Sequence, residues 1–221
     1  MAFEALKAYS SHEKPEIKTA NNVTPADWSG NIQSVYGSLG ARNLATADRE
    51  EHDFYATSPE ATEWLLRLEQ LRPSIWEPSC GQGHISKVLE AAGYNVLSTD
   101  LVDRGYGTGG INFFTQTTEY DGDIVTNPPY KFATEYVYKA LSLIPEGHKV
   151  CLFLKLQFLE GRERKKLFLE HPPIRIWVSS SRIACSKNGD FDNNNNNGLI
   201  AYAWFVWEKG FKGDTIVKWF N

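Results

Sequence analysis

From Glu50 onward the apolar positions settle into two alternating periods. Ser58-Pro59-Glu60 followed by Ala61, Trp64, Leu65 and Leu68 puts a cap residue and a first-turn proline ahead of an apolar face at helical spacing, which predicts a helix. Short apolar runs at 74–77, 94–99, 111–114, 123–126 and 149–155 predict strands. Stretches at about 85–92 and 132–143, the first ended by Gly93, predict the helices between them. Beyond a helix at about 161–170, runs at 174–178, 199–207 and 215–220 predict further strands, the last with the weakest pattern. Such alternation implies an α/β fold whose mostly parallel sheet carries helices on both faces and binds ligands at the carboxyl ends of its strands.

Residues 1–50 are different. They are rich in Asn, Ser, Thr, Gly and charge and hold no sustained apolar period, so an extended or partly ordered arm is expected before a single domain over 51–221. The run Asn193 to Asn197 reads as solvated loop. With 221 residues, 42% of them hydrophobic, the chain can bury one substantial core. It has no apolar run of the roughly 20 residues that cross a bilayer, and Met1 to Lys18 lacks an apolar signal core, so a cytoplasmic protein is expected.

Three cysteines (Cys80, Cys151, Cys185) make neither a disulfide framework nor zinc spacing, and the five histidines do not cluster, so no metal is expected. Cys80 reads as a small packing residue. A net charge of -4 gives no overall attraction to a polyanion; nucleic-acid contact would need a local basic patch. The densest is Lys155, Arg162, Arg164, Lys165 and Lys166, with Arg182 beyond it. Lys165 and Lys166 read as a solvated helix face, which leaves Lys155, Arg162 and Arg182 as phosphate candidates.

Two segments carry chemistry. Glu77-Pro78-Ser79-Cys80-Gly81-Gln82-Gly83 lies between a strand and a helix, where Gly81 and Gly83 let the backbone approach a ligand. Ser86 stands where a dinucleotide fingerprint has its third glycine, and an acid before the loop would repel pyrophosphate. A carboxylate at Glu77 suits a positive amino group instead, and Asp100 at the end of the next strand can accept from both hydroxyls of a ribose. The second segment, Asn127-Pro128-Pro129-Tyr130, follows the strand at 123–126. The Asn127 side-chain oxygen and the Pro128 carbonyl can hold both hydrogens of a delocalised amino nitrogen and draw it toward tetrahedral geometry. Pro129 stiffens the turn and Tyr130 offers a flat stacking face.

These motifs resemble the class I S-adenosylmethionine-dependent methyltransferases, specifically the amino-methyltransferases that modify adenine N6, over about Asp53 to Trp207. The resemblance implies one Rossmann-like methyltransferase domain with a mostly parallel seven-stranded sheet and an antiparallel C-terminal strand. It implies S-adenosyl-L-methionine as cofactor, with Glu77, Pro78, Cys80, Gly81 and Gly83 around the methionine part, Asp100 on the ribose, and Asn112 and Phe113 near the adenine ring. The tetrapeptide Asn127 to Tyr130 is then catalytic. Asp53 to Pro59 is similar to the element that closes over the cofactor's amino-acid end, which brings in Tyr55 and Thr57. The motif order is similar to DNA adenine methyltransferases, and the stretch from Phe158 to Phe205 to small methyltransferases of phages and prophages.

Two departures stand out. Asn112 replaces the family's usual Asp, and 178–182 lacks the aromatic that stacks a flipped base, a role left to Trp177 or Phe191. No long target-recognition segment interrupts the pattern. The expected reaction is methylation of adenine N6 in DNA. Its rivals are methylation of an RNA base or a protein glutamine amide, and a non-catalytic nucleic-acid-binding module that keeps the fold; the absence of an N-terminal helical domain weighs against the protein amide.

Overall fold

Strand and helix alternate as the apolar periods demand. The computed structural model describes residues 56–181, 183, 185–186 and 200–221. The arm expected at 1–50, Tyr55, Arg182, Phe191 and the Asn193 to Asn197 run lie outside the described residues. In chain order the elements are β1 (Ala56–Thr57), α1 (Pro59–Leu68), β2 (Ser74–Glu77), α2 (His84–Ala91), β3 (Asn95–Ser98), β4 (Asp123–Thr126), α3 (Ala133–Leu143), β5 (Lys149–Lys155), α4 (Arg162–Glu170), β6 (Arg175–Ser179), β7 (Cys185–Ser186), β8 (Tyr202–Glu208) and β9 (Ile216–Phe220).

Seven strands form one sheet in the order β3-β2-β4-β5-β8-β6-β9, while β1 and β7 make a separate two-stranded ribbon. Strands β3, β2, β4 and β5 are parallel. β8 runs antiparallel to both β5 and β6, and β9 is parallel to β6. After β2 the chain adds β3 on one side and β4 on the other, so the connections diverge at the carboxyl end of β2 and open a crevice there.

Alternate residues of the central strands feed two cores. Trp76, Ile124, Val150, Leu152 and Phe205 meet Val137, Ala140 and Leu141 of α3 and Leu167 of α4 on one face. Ile75, Val125, Cys151, Phe153 and Trp204 meet Ala61 and Leu65 of α1 and Ile85 and Leu89 of α2 on the other. The i, i+4 spacing of each helical pair is what presents both side chains to the sheet. Trp204 is fully buried, and its indole N–H donates to the Ala61 carbonyl at 2.7 Å, which removes the cost of burying that donor.

At the opposite, amino edge of the sheet Glu69 is 4% exposed and anchors three elements. It accepts from Lys149 Nζ at 2.8 Å, Trp177 Nε1 at 2.8 Å, Arg175 Nη2 at 2.6 Å and also Arg175 Nε. Burial alone would push its carboxyl up, but the bonds from Arg175, Lys149 and Trp177 outweigh it and hold the carboxyl below its usual value.

The strand expected at 111–114 is not one. Phe113–Thr115 is a single 3-10 turn, because the Asn112 side-chain oxygen accepts from the Phe114 N–H at 2.9 Å and caps it. Phe113 is apolar for another reason: it plugs the core between Trp76, 5.3 Å away between ring centroids, and Tyr136, 4.8 Å away.

Candidate functional site

The loop after β2 takes its shape from close backbone approaches. Gly83, at φ +81°, starts α2, and the Tyr106 ring lies over it so closely that an added Cβ would sit 2.5 Å from a ring carbon. No other residue tolerates both that dihedral and that contact. The Gly81 N–H donates to Asp100 Oδ2 at 2.8 Å and the Val102 N–H to Asp100 Oδ1 at 2.9 Å, so Asp100 ties the loop to the end of β3. Each carboxylate oxygen has two lone-pair sites, so this tie leaves acceptor capacity on both. Cys80 is buried, and burial, with the nearby Glu77 and Asp100 charges, pushes its thiol up to about 12. It packs; it is no nucleophile.

Glu77 ends β2 at 2% exposure. Its Oε2 accepts from the Ser86 N–H at 2.8 Å and from the Ser86 hydroxyl, which also lies 2.6 Å from the Ser98 hydroxyl. Burial pushes Glu77 up to about 8; the Ser86 bonds oppose this, and the Asp100 and Glu90 charges add to it. Near neutral pH this carboxyl therefore favours its protonated form. The serine at the third-glycine position, read in the sequence only as a departure from a fingerprint, thus orients the acid.

The tetrapeptide follows β4 directly. Asn127 Nδ2 donates to Thr57 Oγ1 at 2.9 Å, and Thr57 is itself buried and held by its pairing with Cys185 across the ribbon. That bond fixes which edge of the amide donates, and so orients the carbonyl edge. Pro128 is buried; the Pro129 carbonyl accepts from the Phe132 N–H at 2.9 Å and closes the short turn Tyr130–Phe132 before α3. Lys155, at the end of β5, places its ammonium 4.5 Å from the centroid of the Tyr130 ring.

These loops meet at one cavity of about 330 Å³. Thr57, Glu77, Pro78, Cys80, Asp100, Asn112, Phe113, Asn127, Pro128, Pro129 and Tyr130 all line it, and Gly81 and Gly83 shape its loop. Lys155 flanks the cavity through Tyr130, whereas Arg162 is exposed at the start of α4 and does not line it. Arg182 and Tyr55 fall outside the described residues. Among the described residues no group of His, Cys, Asp and Glu is arranged to hold a metal ion, and no helix is long and apolar enough to cross a membrane.

Several lining residues were not legible as such. Tyr136 reaches the cavity from α3, with its hydroxyl 2.6 Å from the Ser79 hydroxyl, and burial pushes that phenol up to about 12. Phe114 packs edge-on against Tyr136 at 5.0 Å and Phe132 at 6.0 Å, and Lys131 and Arg104 join the same wall. The signal in hindsight is that Phe114 and Phe132 are 38% and 41% exposed, more than packing alone would leave such large rings.

The sequence matches no protein-family model and no curated protein. Solved structures do match. One, assigned to the class I S-adenosylmethionine-dependent methyltransferases of Listeria monocytogenes, is 10% identical over 85% of this chain and 71% of its own, with a TM-score of 0.55. Another, assigned as an RNA methyltransferase of Pyrococcus horikoshii, is 12% identical over 81% and 99%, with a TM-score of 0.52. An S-adenosylmethionine-dependent O-methyltransferase of Thermotoga maritima is 15% identical over 71% and 67%, with a TM-score of 0.51. At such identities the likeness speaks for the fold, and the fold of this chain is the Rossmann-like one of class I S-adenosylmethionine-dependent methyltransferases.

Proposed function

We propose that this protein transfers the methyl group of S-adenosyl-L-methionine to an exocyclic amino nitrogen, and that the nitrogen is N6 of adenine in DNA. The observation that carries the proposal is the single cavity into which both motif loops open: Glu77 to Cys80 and Asp100 on one side, Asn127 to Tyr130 on the other. Its volume of about 330 Å³ falls in the range of small-molecule sites.

The residues present fit the cofactor. Asp100 sits at the end of β3 with acceptor capacity for ribose hydroxyls, and Glu77 is a buried acid that a cationic amino group would ionise. Phe113 and Asn112 line the same cavity, and the cofactor's adenine ring is expected against them. When bound, the cofactor supplies an electrophilic methyl carbon whose bond to sulfur breaks as the new C–N bond forms, the electron pair leaving on a neutral thioether.

The chain's own groups prepare the nucleophile. Asn127, its amide oriented by Thr57, accepts one N–H of the substrate with its side-chain oxygen, and the Pro128 carbonyl accepts the other. Both bonds strengthen as positive charge develops on the nitrogen, which is why they favour the transition state over the bound substrate. Tyr130 lines the cavity beside the Lys155 ammonium, so a planar base is expected against its ring. The surplus proton of the alkylated nitrogen passes to solvent and requires no dedicated base.

The test is mass spectrometry of nucleosides after incubation of DNA, RNA and protein pools with labelled cofactor. N6-methyladenine in DNA, lost in Asn127→Ala while cofactor binding is retained, is the expected result. Label confined to RNA or to protein would overturn the DNA assignment, and a chain that binds no cofactor would overturn the methyltransferase reading.

A further inference from the structure

We infer that the rim of the cavity takes an unpaired strand of DNA in preference to a duplex. This rests on the proposed adenine methylation and names the form of its substrate. Two ammonium groups stand over aromatic rings of the turn Tyr130–Phe132: Lys155 Nζ is 4.5 Å from the Tyr130 ring centroid, and Lys131 Nζ is 4.8 Å from that of Phe132. Phe132 is 41% exposed and meets Phe114, itself 38% exposed, edge-on at 6.0 Å. Aromatic faces alternating with cations are what a single strand needs, because every base has a face to stack and every step a phosphate to neutralise.

Charge elsewhere points the same way. The whole chain carries a net charge of -4, so a duplex would have to be gripped by a broad basic face. On α4, the most basic of the described helices, Arg164 donates to the Gln157 and Glu160 carbonyls and lies over Phe158, and Lys166 pairs with Glu170 at 3.7 Å. Extruding a base from a duplex breaks its pairing and stacking, a cost that extensive backbone contacts normally offset. An unpaired strand incurs little of that cost and asks for few cations, which Lys131 and Lys155 at the turn supply.

The experiment compares one adenine-containing oligonucleotide alone, the same strand annealed to its complement, and free deoxyadenosine. The single strand is expected to have a kcat/KM about tenfold or more above the duplex. With two phosphates neutralised, log affinity for the single strand should fall with log salt at a slope of about -1.4, and K131M and K155M should each make that slope shallower by about 0.7. F132A should weaken single-strand binding about tenfold. A duplex used as well as the single strand, or slopes untouched in both lysine variants, overturns the inference alone. So does a cofactor Kd that weakens in K131M and F132A in step with the oligonucleotide KM, since that would assign the rim to the cofactor. Absence of methyl transfer to all three adenine substrates overturns the adenine reading with it.

Discussion

Glu77 ends β2 as a buried acid that the Ser86 N–H and hydroxyl hold in place. Burial pushes it up to about 8, so the carboxyl favours its protonated form at pH 7. A cation placed beside it favours the ionised form, so under the proposed binding mode the sulfonium amino acid is expected to expel that proton. Affinity is therefore expected to rise with pH, by at most tenfold per unit for one proton, and to level off near pH 8. Calorimetry in buffers of differing ionisation enthalpy would detect the released proton, and Glu77→Gln should abolish the release; equal heats in all buffers would refute it. At Gly83 the prediction concerns shape. Gly83→Ala must strain φ +81° and meet the Tyr106 ring, whereas Gly93→Ala strains φ +90° with nothing within 4 Å. Both should destabilise by about 1 kcal/mol from backbone strain, and Gly83→Ala by about 2 to 4 kcal/mol in all once the clash is added, as denaturant melts would show.

Elements differ in how openly the chain announces them. Helices α2 and α3 fall within a residue or so of the expected 85–92 and 132–143, because Gly93 and the double proline are local signals. The 111–114 segment misleads because a phenylalanine plugging a core from a turn has the same local pattern as one in a pleat. The ribbon of β1 and β7 could not be foreseen at all: two-residue strands carry no period, and their pairing joins remote parts of the chain. The same divide runs through the site. Both motif loops are contiguous in sequence and were legible, while Ser86, Tyr136 and Phe132 act through space. The ribbon also has a function to test, since it holds Thr57 against Asn127 at 2.9 Å. Thr57→Val keeps the volume and deletes the acceptor, so it should cost about 1 kcal/mol of stability and lower kcat more than it raises KM. Thr57→Ser should restore kcat; if it does not, the hydrogen bond is not what positions the amide.

Across the whole molecule, the two ends of the sheet make opposite demands on pH. At the amino edge Glu69 is held below its usual value by Arg175, Lys149 and Trp177, so its contribution is present above the unfolded carboxylate value and is lost as pH falls through the folded one. At the carboxyl edge Glu77 is raised, so the native state holds a proton that the unfolded chain gives up between about 4.5 and 8. Over that window this acid makes stability fall as pH rises, at no more than about 1.4 kcal/mol per unit. The structural edge thus favours neutral pH, and the ligand edge favours acid until a cationic ligand relieves it. Thermal melts should separate the two. Glu77→Gln should gain on the wild type as pH is raised from 5 to 8, and saturating S-adenosylmethionine should erase that gain by stabilising only the wild-type anion. Glu69→Gln should instead lose about 3 kcal/mol at pH 7, with the deficit closing toward pH 3. A constant offset between wild type and Glu77→Gln from pH 5 to 8 would mean that the buried acid is ionised throughout that range, and that the cavity does not hold it neutral in readiness for a cationic ligand.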